Sequence, residues 1–150
     1  MKLAEALILR ADCQKKISQL SQRLMRSAQV QEGDQPPENP QALLAELEAT
    51  ISELTGLIQR INRTNSNTAF TEGTLSDALA QRDTLIAKHN VLSNLIQHAA
   101  VTSNRYSRSE VRFVSTVDIA DLQRQLDRVS QEHRLLDAQI QALNWQVELA

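Results

Sequence analysis

The stretch LLAELEATISELTGLIQRI, residues 43–61, decides the fold. Within it Leu44, Leu47, Ile51, Leu54, Ile58 and Ile61 succeed one another at alternating steps of three and four. Those steps keep one side of an α-helix apolar over five turns and form the a/d seam of a heptad, which Leu43 and Leu57 widen. Upstream, Asn39 is a good N-cap and Pro40 suits the first helical position, so the spacing predicts a helix over about 40–66. At roughly 1.5 Å per residue such a helix is about 40 Å long.

Working outward, residues 1–30 repeat the pattern with weaker residues. Leu3, Ala6, Arg10, Cys13, Ile17, Leu20 and Leu24 share one face, and Gly33, Pro36 and Pro37 end the helix. The linker at about 31–39 is short enough to return the chain antiparallel, as an αα-hairpin over 1–66. Beyond Asn67 the pattern lapses through Thr68, Phe70 and Gly73, and Thr74 with Asp77 opens a capping-box-like start. A third helix follows, with Leu75, Ala78, Arg82, Leu85, His89, Leu92, Ile96 and Ala99 on one face. A fourth starts near Asp118, with Ile119, Leu122, Leu126, Val129, His133, Leu136, Ile140 and Leu143 in line. These two make a second hairpin over 74–147. Residues 102–117 between them, with Val111, Phe113 and Val117 among Thr and Ser, favour extended chain and a short strand, for which 68–70 is a candidate partner.

Composition supports the same class. The chain is 41% hydrophobic but only 3% aromatic, with three glycines and three prolines, so Leu, Ile, Val and Ala must pack thin helix-on-helix layers. The expectation is a single all-α domain over 1–150 of about four long antiparallel helices, bundle-like or coiled-coil-like. The hairpins either pack on each other or bury their stripes against other copies. Long thin stripes with few aromatics favour a homo-oligomer.

A net charge of -2 with mixed signs gives no reason to expect nucleic acid or an anionic membrane as partner. No run of eighteen apolar residues exists to span a membrane, and the apolar N-terminal run is broken by Glu5 without a signal-peptide cleavage site. One cysteine, Cys13, on an apolar stripe, fits a buried thiol in a reducing compartment, so the expected location is the cytoplasm.

Charge in a heptad seam is expensive, so each exception asks for a reason. Arg10, Arg82, His89 and His133 are the exceptions. Counting along simple antiparallel hairpins sets Arg10 level with 58–62, near Asn62, Asn65 and Glu5, and sets Arg82 within about a turn of His133 and Asp137. Such residues fix register and oligomer state, or they line a polar pocket for a small anionic ligand. The run Arg105-Tyr106-Ser107-Arg108-Ser109-Glu110 similarly either caps helices and makes intersubunit ion pairs or cradles an anion. The candidate ligand-binding cluster is therefore Arg10, Asn62, Asn65, Arg82, Asp83, Arg105, Tyr106, Ser107, Arg108 and Glu110. No glycine-rich phosphate loop, nucleophile elbow, His-Glu-x-x-His or Cys-x-x-Cys pattern is present, so no catalytic residue, metal ligand or cofactor is assigned, and whether the chain is an enzyme stays open.

The blocks MKLAEALILRAD, QEGDQPPENP, INRTN at 61–65, TLSDALAQRD at 74–83, RYSRSEVRFVSTVD at 105–118 and NW at 144–145 resemble a family of small bacterial proteins labelled septicolysin or septicolysin-like. The likeness runs over essentially the whole chain and implies a shared fold. The label implies a pore-forming toxin, which the residues oppose: they offer neither a membrane-length apolar run nor an aromatic-rich tip. The reading that follows is a cytoplasmic helical oligomer acting as an interaction or scaffold protein with a buried polar network. The alternatives are a small-molecule or anion-binding protein using the cluster and, disfavoured, a membrane-active cytolysin.

Overall fold

A computed structural model describes residues 1–100 and 112–150. Over these the chain forms four α-helices: α1 (Leu3–Ser27), α2 (Pro40–Asn67), α3 (Leu75–Ala100) and α4 (Ile119–Gln146). They fall into two compact units, the first made of residues 1–69 with 142–150, the second of 70–141.

Each helix starts where its sequence supplies a partner for the free N–H groups of the first turn. The Asn39 side chain accepts from Gln41 N at 2.9 Å, ahead of Pro40. Thr74 N donates to Asp77 Oδ2 at 2.8 Å, and Asp77 N donates back to Thr74 Oγ1 at 3.4 Å, a capping box. Asp121 N donates to Asp118 Oδ1 at 3.0 Å to open α4. The first helix is capped differently: Lys2 N donates to Glu5 Oε2 at 2.6 Å.

In the first unit α1 packs on α2. The buried line of α1 is Ala6, Cys13, Leu20 and Ser27, with Leu3 beside it. On α2 the buried line is Leu43, Thr50, Leu57 and Thr64, flanked by Ile61. This differs from the expected seam. Leu44, Ile51 and Ile58 remain 45%, 40% and 36% exposed, so the packed face is centred on the flank of the stripe that Leu43 and Leu57 mark, with Ile61 retained. The reason lies in the two threonines. Their hydroxyls donate to the carbonyl four residues back, Thr50 to Glu46 at 2.8 Å and Thr64 to Arg60 at 2.9 Å. A threonine so satisfied packs as a small β-branched apolar residue.

Ion pairs flank this seam and the loop after α1. Lys16 meets Glu46 at 3.1 Å, and Arg23 Nε donates to Glu38 Oε2 at 2.9 Å. In the second unit Leu75, Ala78 and Leu92 of α3 and Val129, Leu136 and Ile140 of α4 are buried, all on the expected stripes. Residues 112–117 adopt neither helix nor strand, and Phe113 and Val114 are exposed. The expected strand is thus absent there, and the rest of that segment lies outside the described residues. At 68–73 the chain turns instead, with Phe70 N donating to Gly73 O at 3.0 Å.

Candidate functional site

The first unit holds Arg10, Asn62 and Asn65, and the second holds Arg82 and Asp83. Arg105, Tyr106, Ser107, Arg108 and Glu110 lie outside the described residues.

Arg10 sits half-buried on the packed face of α1, and its Nε is buried without a hydrogen-bond partner. Glu5, an expected neighbour, is committed to the start of α1. Asn62 is exposed and Asn65 half-buried on α2. Cys13, three residues along from Arg10, is 7% exposed, and burial, then the Glu53 and Asp12 carboxylates, push its thiol up, which keeps it protonated and inert.

A terminal clamp closes this unit, and sequence reasoning missed it. Residues 2 and 148 form an antiparallel bridge, with Leu3 N donating to Val147 O and Leu149 N to Met1 O, both at 2.9 Å. Leu149 is buried, Ala150 N donates to Thr64 Oγ1 at 2.9 Å, and Arg60 Nε donates to Ala150 O at 2.8 Å. Glu148 faces Lys2 Nζ at 2.6 Å and the Met1 ammonium at 3.0 Å. Hydrogen bonds from Lys2 and then from that ammonium hold the Glu148 carboxyl below the usual carboxylate range. Because the folded value is depressed, the clamp's contribution is present above the unfolded value and disappears as pH falls through the folded one. Thermal melting from neutral pH down to about pH 3, below the ordinary glutamate value of about 4.3, should therefore show an acid-side loss that E148Q reduces. An acid limb unchanged in E148Q refutes this.

In the second unit Arg82 is matched. Its Nη1 donates to Asp137 Oδ1 at 3.2 Å across the α3–α4 seam, and its Nε lies 3.7 Å from Asp83. The pair is part-buried and crosses between helices, the arrangement by which polar residues pin register. Beside it on the same seam, Ile86, His89, Ser130 and His133 line a cavity of about 290 Å³. Both histidines are half-buried, and among the described residues neither makes a hydrogen bond or ion pair. No spacing along the chain joins them, because they lie on different helices. Their places on two apolar stripes were the available signal. A wider cleft of about 440 Å³ near the start of α3 brings Glu72, Asp77 and Glu132 near Phe70, but Asp77 is held by the helix cap.

Three comparisons bear on identity. The family described as "Family of unknown function (DUF6847)" matches residues 10–149. None of the curated proteins matches. The chain is similar to a functionally unknown conserved protein from Corynebacterium diphtheriae, known from its crystal structure. The two are 47% identical with a TM-score of 0.94, over 100% of this chain and 99% of that one. The chain belongs to the family of unknown function. The likeness to septicolysin-labelled proteins is corrected by these findings, since neither the family nor the structural neighbour carries a toxin label. The blocks that suggested it include helix caps, turns and seam residues, which specify a fold. Among the described residues no helix is long and apolar enough to cross a membrane.

Proposed function

We propose that this member of the family is an interaction protein that self-associates, using the second apolar face of α2. The observation behind the reading is the line Leu44, Ile51 and Ile58, one heptad apart and 36–45% exposed. Burying what remains exposed gains roughly 1 kcal/mol per side chain, or about 6 kcal/mol for a symmetric pair of copies. Association costs of about 4–15 kcal/mol run from most of that gain to more than all of it. The expected assembly is therefore weak and concentration-dependent rather than obligate.

Sedimentation over a wide concentration range tests it. The mass should rise from the 16.8 kDa of one chain toward twice that, and I51E should hold it at one chain. A wild-type mass of one chain at every concentration refutes the reading.

A second reading, binding of a small anionic ligand by the polar cluster, has one observation in its favour, the buried and unpartnered Arg10 Nε. Arg82 does not support it, because two carboxylates already answer its charge.

A further inference from the structure

We propose that the α3–α4 seam of the second unit binds one late first-row divalent metal ion, of the nickel–copper–zinc class, through the imidazoles of His89 and His133. The inference is independent of self-association. It starts from a contrast between the polar residues that share the seam. Arg82 carries its own partner, Asp137, and so is explained as a register device. His89 and His133 are explained by no such pairing. Each is half-buried on a mostly apolar stripe, each is without a hydrogen bond or ion pair among the described residues, and both open onto one cavity. Their ring nitrogens are not sealed from solvent and no protein group among the described residues engages them, so both imidazoles are free to take a ligand from the cavity.

The chemistry of the lining selects the class of ligand. An anion would want a free cation in the seam, but Arg82 lies against both Asp137 and Asp83. Neutral imidazoles instead offer two nitrogen lone pairs, the donor type that suits nickel, copper and zinc, and that hard oxygen-seeking cations avoid. Among the described residues no three histidine, cysteine or carboxylate side chains converge as a metal cage. The ion is thus held by two protein bonds and completes its shell with water. The cavity has room for this: about 290 Å³ against roughly 30 Å³ for each water. Ser130 in the same lining supplies a hydroxyl to accept from a bound water, and Ile86 lines the apolar side.

The test is titration of the full chain with Ni²⁺ alone, followed by calorimetry and by paramagnetic broadening of the imidazole ring protons. One ion per chain is expected. The His89 and His133 resonances should broaden together at sub-stoichiometric metal, while those of His98, which is exposed and lies outside the cavity, stay sharp. H89Q and H133Q should each weaken binding by at least about tenfold, the lower bound for losing even an outer-shell group, and H98Q should not. Equal broadening of all three histidines, unchanged affinity in H89Q/H133Q, or no binding at millimolar Ni²⁺ overturns the proposal. The broadening pattern is read on the wild-type chain, so it decides even where a variant folds poorly.

Discussion

L43A is expected to destabilise the first unit by about 2–4 kcal/mol, whereas L44A, one residue on, should cost less than about 1 kcal/mol. The two leucines are chemically identical and adjacent, so helix propensity and composition cancel in the comparison. What differs is the face they occupy. Leu43 is 3% exposed in line with Thr50, Leu57 and Thr64, and Leu44 is 45% exposed in line with Ile51 and Ile58. Truncating the first leaves a cavity that the α1–α2 seam can only partly refill, while truncating the second removes contacts that water already half replaces. Denaturant unfolding followed by circular dichroism, at a concentration where the chain is monomeric, separates the two. The reverse order of effects would restore 44, 51 and 58 as the packed seam and remove the surface on which self-association rests.

That pair of residues also marks where the sequence is legible. The stripes of α1, α3 and α4 read correctly because their seam positions are mostly apolar and each polar exception stands between apolar neighbours. The caps read correctly because Asn39, Thr74 and Asp118 act on groups two or three residues away. The packed face of α2 read only in part: Leu43, Leu57 and Ile61 lie on the expected stripe, whereas Thr50 and Thr64 do not, for a local reason. Thr50 and Thr64 count as polar in a pattern, yet each buries its hydroxyl against its own helix. With those two discounted, the apolar pattern runs through Leu44, Ile51 and Ile58, which lie on a different, exposed face.

Long-range features were less accessible. The clamp joins residues 1–3 to 147–149, and nothing in either segment names the other, since backbone bonding carries no sequence code. The Arg82–Asp137 pair lay within reach because counting along an antiparallel hairpin is a geometric operation on known helix rises. The two histidines were visible as exceptions on separate stripes. Their common cavity depends on the relative rotation of α3 and α4, which no one-helix pattern contains.

G73A should cost the second unit about 2–3 kcal/mol, from two separable sources. Gly73 has φ +86°, a conformation that glycine adopts freely and that costs an L-residue about 1–2 kcal/mol. A methyl group there would also stand 2.5 Å from Asp77 Oδ2, the oxygen that accepts from both Thr74 N and Thr74 Oγ1. Relieving that clash displaces the capping carboxylate, and loss of such a cap costs about 1 kcal/mol. Those two bonds, backbone first, also hold the Asp77 carboxyl below its usual range, which agrees with an acceptor fully engaged in the cap. A double-mutant cycle distinguishes the contributions. In a D77A background the cap is already gone and the oxygen that would clash is absent, so G73A should then cost only the conformational part, about 1–2 kcal/mol. Strict additivity of G73A and D77A would mean that the glycine serves the turn alone. The expected non-additivity would mean that the turn and the start of α3 are one device, in which the left-handed glycine clears the space its capping carboxylate needs.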